Sequence, residues 1–292
     1  MTMITHQDIT NLPYADPTIE LDGQLYALVD HGGMPGLVKQ LDRTNAQWIS
    51  LFAGSRDEGA LEVAPILILI DANQAPFQRQ AMLNWLCEHG TFASSLLFMV
   101  SPLPMAELVR RLALRLDATL PDNMDIVLRF FDSRVFEQLV AVLSDEQKRA
   151  FLNVASRWWF VDRRGEIQAV DATFSEAETP EIPLILTVQQ EGAMLDASEP
   201  DQVAAFLQPV VPVEYADLAP ELRYDFIVRH MGAARLLGIK ATHELALYCV
   251  MPLLHGEQFA TQAPWHAVLG QVQSGRRSLT LAVELIEPGG DE

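Results

Sequence analysis

Val63-Ala64-Pro65-Ile66-Leu67-Ile68-Leu69-Ile70 is a continuous apolar run that stops at Asp71-Ala72-Asn73. A strand that lies half in water alternates apolar with polar residues. A strand without alternation is buried on both faces. The run therefore predicts an inner strand of a sheet covered by helices on both sides. It is far too short for the roughly 20 residues that span a bilayer.

Working outward, other strands are expected at Leu25–Asp30, Trp48–Phe52, Leu96–Val100 and Ile126–Phe131. Arg157–Val161 and Glu166–Val170 read as a hairpin across Asp162-Arg163-Arg164-Gly165. Helical spacing appears between them. Leu37, Val38 and Leu41 share one face, as do Phe77, Ala81, Met82 and Trp85, and Leu108, Leu112 and Leu116. Ser101 is an expected cap for the last of these helices, Asp132 or Ser133 caps the next, and Asp145 with Glu146 opens another. Strands alternating with helices define an α/β fold, here with a mixed or largely parallel sheet flanked by helices. A smaller all-α lobe is expected to follow.

The organisation reads as four segments. Residues 1–22 are polar, broken by Pro13 and Pro17, and are expected to form a flexible N-terminal arm. Residues 23–172 form the α/β lobe, and 173–198 an acidic crossing segment. Residues 199–292 form a helical lobe, with helices opened by Asp201 and capped by Thr242. Its tail, Ser278–Leu285, alternates like a strand.

Apolar residues make up 49% of the chain, enough for a sizeable core and too many for disorder. The net charge is -19, about -6 over residues 1–164 and -13 over 165–292. From Gly165 to Leu222 there are twelve acidic residues and no Lys or Arg. Such a surface repels phosphate backbones and anionic lipid, which argues against nucleic-acid and membrane-surface roles. With no basic and apolar leader and no spanning segment, the expected location is cytoplasmic. The two cysteines, Cys87 and Cys249, are too few for a disulfide scaffold or a structural zinc site, and each sits in an apolar helical context.

A search for chemistry returns little. His243-Glu244 begins like a zinc protease motif, but Leu247 stands where the second His is needed. Gly32-Gly33 follows a strand without the remaining residues of a phosphate loop, and Gly54-Ser55 lacks the spacing of a hydrolase elbow. No cofactor or metal site is expected.

Three groups of residues stand out instead. Arg129, Asp132 and Arg134 surround a strand-to-helix corner, which reads either as an ion-paired structural corner or as a partner contact. In the expected strand, Trp158 and Trp159 point to opposite faces, so one is core and the other faces a helix layer or a partner. Tyr215, Tyr224 and Arg229 are the candidates for partner contact in the helical lobe.

Several blocks carry a resemblance. They are Leu25–Asp30, then Leu51-Phe52-Ala53-Gly54 with Val63–Leu67, then Ser101-Pro102-Leu103-Pro104-Met105-Ala106-Glu107-Leu108. The most recognisable is Val127-Leu128-Arg129-Phe130-Phe131-Asp132-Ser133-Arg134-Val135, followed by Leu143, Gln147 and Trp158-Trp159. Over about 25–162 the chain resembles the type VI secretion effector-chaperone, or adaptor, family, catalogued as a domain of unknown function (DUF4123). Ser133 departs from the pattern, since the family usually has Pro there; its loss is expected to loosen the corner slightly.

The resemblance implies a non-enzymatic cytoplasmic protein. It would bind a cognate secreted effector and help load it onto a VgrG-like spike protein, with no cofactor. Its partner is expected to present apolar residues to a groove between lobes, with an acidic rim steering the encounter. Two other classes stay open. One is a hydrolase-like enzyme using Asp30, His31 or Asp132 at strand ends. The other is an immunity-type protein that neutralises an effector.

Overall fold

The computed structural model describes residues 3–14, 22–55, 57–177 and 182–286. They divide into two compact units that meet between Leu195 and Asp196.

The first unit contains α1 (His6–Asn11), β1 (Gln24–Asp30), α2 (Leu37–Arg43), β2 (Trp48–Ser50), β3 (Pro65–Leu69) and α3 (Pro76–Gly90). It continues with β4 (Leu96–Ser101), α4 (Met105–Leu114), β5 (Asp117–Thr119), β6 (Asp125–Val127), α5 (Ser133–Val142) and α6 (Asp145–Leu152). β7 (Arg157–Val161), β8 (Ile167–Asp171) and β9 (Leu184–Ile185) complete it. The main sheet has the order β2-β3-β1-β4-β7-β8, and β6-β5-β9 form a small second sheet.

The Val63–Ile70 run supplies β3, an inner strand with every residue buried, as its composition predicts. Strand direction differs from expectation. Every pairing in the main sheet is antiparallel, and the single parallel pair joins β5 to β9 in the small sheet. An inner strand covered on both faces reads as apolar whichever way its neighbours run, so the run reports burial and carries no direction.

Each face of the main sheet has its own core. On one side Tyr26, Leu28, Leu67, Leu97, Met99, Trp158 and Phe160 pack against Leu108 and Leu112 of α4, Phe136 and Leu139 of α5, and Phe151 of α6. On the other, Ala27, Val29, Ile66, Ile68, Phe98 and Trp159 pack against Ile9 of α1, Leu37 and Leu41 of α2, and Met82, Leu83 and Leu86 of α3. Alternate residues of one strand thus feed opposite cores.

Several local expectations are corrected. Residues 6–11 of the expected arm form α1, held by a capping box between Thr5 and Asp8 and by the buried Ile9; residues 15–21 lie outside the described residues. The buried side of α3 is Met82, Leu83, Leu86 and Cys87, and Phe77 is 82% exposed. Ser101 caps no helix. Its hydroxyl donates to the Val154 carbonyl at 2.6 Å and accepts from Leu103 N–H, tying the end of β4 to the approach to β7. The expected strand at Ile126–Phe131 ends at Val127. Phe130 and Phe131 are both buried, which adjacent residues of a strand with one covered face cannot be, and a Phe130 N–H bond to the Leu128 carbonyl turns the chain there.

The second unit is helical. α7 (Val188–Val210) enters it and is followed by α8 (Pro212–Asp217), α9 (Pro220–Leu236), α10 (Thr242–His255), α11 (Trp265–Gln273) and α12 (Leu279–Ile286). α7 absorbs both the end of the expected crossing segment and the helix expected to open at Asp201. Thr242 is the first residue of α10, its hydroxyl donating to Glu199, and the cap position is Ala241. The tail is a helix and not a strand. Leu279 and Ala282, three apart, are buried, and Glu244 of α10 accepts the Leu279 N–H at 2.8 Å. Leu-Thr-Leu-Ala-Val fits period two as well as a helical period, and the acceptor that Glu244 supplies favours the helix.

Candidate functional site

The corner after β6 brings Arg129, Asp132 and Arg134 together, with a partner that sequence spacing does not reveal. Asp30 ends β1. Its N–H donates to the Ser95 carbonyl, and its Oδ1 accepts the Gly32 N–H at 3.0 Å, starting the short turn at His31–Gly33. Its other oxygen accepts from Arg129 Nη2 at 2.8 Å. One residue earlier in the same approach to β4, the Ser94 carbonyl accepts the Ser133 N–H at 2.9 Å. The start of β4 is therefore clamped by β1 on one side and by the head of α5 on the other.

Local chemistry explains the corner. Asp132 has extended backbone and accepts the Arg134 N–H at 3.0 Å, a cap that contributes about 1 kcal/mol. Arg134 doubles back onto both Asp132 oxygens, at 3.0 and 2.6 Å. Arg129 lies over the Phe131 ring, 5.3 Å from its centroid. Phe130 meets Phe151 edge-on at 5.2 Å and anchors the segment in the core. The Asp30 and Asp132 side chains are almost fully buried, whereas Arg129 and Arg134 are about half exposed. The ion pairs stabilise the fold, and each guanidinium still presents an edge to solvent.

Of the hydrolase-like set, Asp30 and Asp132 are thus engaged in caps and ion pairs, and the His31 ring contacts the Leu61 carbonyl at 3.3 Å. Ser133 N–H makes a bond to the Ser94 carbonyl that Pro in that position could not make, which offsets the expected loosening.

Neither tryptophan reaches solvent. Trp158 is fully buried, its Nε1 donating to the Leu152 carbonyl at 3.0 Å and its ring stacked on Phe136. Trp159 is buried in the opposite core. As contact residues for a partner, both are ruled out by this burial.

The remaining candidates belong to the helical unit. Tyr215 and Tyr224 are half-buried, and Arg223 sits over the Tyr215 ring at 5.0 Å. Arg229 is exposed and pairs with Glu257 at 2.7 Å. Beside it His230 is buried against Phe226 and reaches the other Glu257 oxygen at 3.3 Å. Burial holds its imidazole below the ordinary histidine value, with Glu257 pulling the other way.

Two organising contacts leave no signal of their partners in the sequence. Asp30 lies 99 residues from Arg129, and nothing local announces the pair. Arg115 is buried, yet it donates to the Arg111, Ala150 and Phe151 carbonyls and to Asn153 Oδ1, locking the end of α6 to α4. An Arg just past a helix end is a common capping signal, but its acceptors come from another helix.

The class defined here is a two-unit α/β protein: an antiparallel sheet between two helical layers, then a helical unit. Residues 25–150 match a family model described as "Domain of unknown function (DUF4123)". The matched segment contains Asp30, Arg129, Asp132 and Arg134 and stops before Trp158. No curated protein and no solved structure matches the chain.

Proposed function

We propose that this protein is an adaptor that binds a secreted effector of a type VI secretion apparatus and hands it to the spike. Recognition is by surface contact, without covalent chemistry. The observation that carries the reading is the surface of the helical unit. Val213, Leu222, Leu236, Leu281 and Leu285 are each more than half exposed there, in a unit whose charge is predominantly acidic. Exposed apolar side chains on a unit with more acidic than basic residues are what a partner-binding surface would use. The secretion setting is suggested by the resemblance of residues 25–162 to effector chaperones; the family model that matches residues 25–150 is described as of unknown function.

Acidic residues around the apolar contacts favour a partner segment bearing Lys or Arg and speed its encounter. Among the described residues no helix is long and apolar enough to cross a membrane, which is compatible with work in the cytoplasm. The test is co-expression with the products of the adjacent genes. The adaptor reading expects one of them to co-purify through a segment outside its toxic domain. Binding confined to the toxic domain would mark an immunity protein, and a chain that purifies alone would remove the reading.

A further inference from the structure

Three of the four sheet edges are blunted. β2 and β6 are three residues long and β9 is two, with its Ile185 carbonyl taken by Gln147 Nε2 at 3.1 Å. Short or capped edges resist strand addition. β8 is the exception, five residues without Pro or Lys and, among the described residues, paired only with β7. Its register fixes where its peptide groups point. Asp162 N–H donates to the Glu166 carbonyl at 2.9 Å, so alternation along the ladder makes Gln168 and Val170 the residues bonded to β7. The N–H and C=O groups of Ile167, Ala169 and Asp171 face away from the sheet, and among the described residues nothing bonds to them.

Beyond the end of β8 a surface cavity of about 320 Å³ lies between α6 and residues 171–173. Lys148 and Arg149 line it, together with Asp145, Leu152 and Asp171. Each carboxylate has its own stabiliser: Asp171 meets Arg157 at 3.3 Å, and Asp145 sits in the first turn of α6, where the helix dipole favours it. Lys148 and Arg149 have no side-chain hydrogen bond or ion pair with any described residue. Lys148 and Arg149 share the cavity with Asp145 and with Asp171, which Arg157 already pairs; the two cations, neither of them in an ion pair, still offer donors for a carboxylate brought in by a strand at the β8 edge.

We propose that the β8 edge accepts an added strand from a partner polypeptide. The backbone of an extended segment pairs with Ile167, Ala169 and Asp171, and one of its Asp or Glu side chains enters the cavity against Lys148 and Arg149. The main-chain bonds supply affinity and the cavity supplies selection. The inference rests on the adaptor reading only in needing a polypeptide partner, and β8 lies outside the segment that matches the family model.

The test pans a displayed library of random peptides against the full chain and re-measures the selected peptides on two variants. Ala169→Pro removes an outward N–H and leaves the Gln168 and Val170 bonds to β7 in place. Lys148→Glu with Arg149→Glu reverses the cavity charge on a helix that does not belong to the sheet. Selected peptides are expected to carry an acidic residue next to a β-prone run and to bind each folded variant about tenfold or more weakly. They should also slow hydrogen exchange at Ile167, Ala169 and Asp171. Failure to enrich any peptide, equal binding to both variants, or unchanged exchange at those amides overturns the proposal. If Ala169→Pro does not fold, the charge-reversed variant and the exchange measurement decide it. In co-expression, an effector that wild type and both variants retain equally overturns strand addition and leaves the adaptor reading standing. An effector that wild type does not retain removes the adaptor reading, and the peptide result then judges the edge alone.

Discussion

Arg129 places Nη2 2.8 Å from Oδ2 of Asp30, closing a loop of 99 residues between the end of β1 and the head of α5. Asp30 is almost fully buried and Arg129 is 55% exposed. The carboxylate therefore depends on the pair more than the guanidinium does. Arg129→Met keeps an apolar stem over Phe131 and leaves Asp30 with the Gly32 N–H alone. The expected loss is about 1–2 kcal/mol, kept low by solvent screening of the half-exposed cation. Urea denaturation measures it, and adding Asp30→Asn should recover part of the loss. An unchanged midpoint for Arg129→Met would mean that the pair does not hold the corner.

Ser133→Pro tests the head of α5. Proline suits the first residue of a helix and restricts the unfolded chain, effects that together contribute about 0.4–1 kcal/mol. Here it also deletes the 2.9 Å bond from Ser133 N–H to the Ser94 carbonyl, a loss of about 1 kcal/mol. The two effects offset, so the melting temperature should not rise. A clear rise would show that the Ser94 bond contributes nothing.

Cys87 and Cys249 are buried, and burial pushes both thiols up to about 12. The thiolate is the reactive form, so both should resist an aromatic disulfide reagent at neutral pH and react quickly once urea unfolds the chain. Rapid labelling of either in the native protein would contradict the packing described.

His230 gives the helical unit an acid sensitivity. Its folded value lies below the unfolded one, so the unfolded chain takes up the proton more readily. Its contribution to stability is complete above the unfolded value of about 6.5 and is lost as pH falls below that. His230→Phe keeps an aromatic ring beside Phe226 and removes the titration. Between pH 7.5 and pH 5, wild type should lose more melting temperature than the variant. Equal losses would show that His230 is not the group responsible.

Burial was legible in the sequence where direction was not. Val63–Ile70 announces a strand covered on both faces, and Trp158-Trp159 announces opposite faces without saying whether the second meets a helix layer or a partner; the structure gives each its own core. The antiparallel order depends on which strands meet through space, and an apolar run carries no sign of that. The tail at 278–285 reads as a strand because its residues satisfy two periods, and the acceptor that favours the helix, Glu244, lies 35 residues away. At the candidate site, the Asp132 cap and its pairing with Arg134 are local and could be read directly. Asp30, which anchors Arg129, could not, because long-range ion pairs leave no spacing in the chain.

The central claim is that this molecule acts by delivering another polypeptide. If the adaptor proposal holds, the most direct measurement deletes the gene in the organism that carries it and follows export of the proposed effector, the product of an adjacent gene, by immunoblot, alongside a structural component of the proposed secretion tube. The account predicts that the effector disappears from the medium and returns when the gene is restored, while the tube component is exported throughout. Export of the effector at wild-type level without this protein would contradict it.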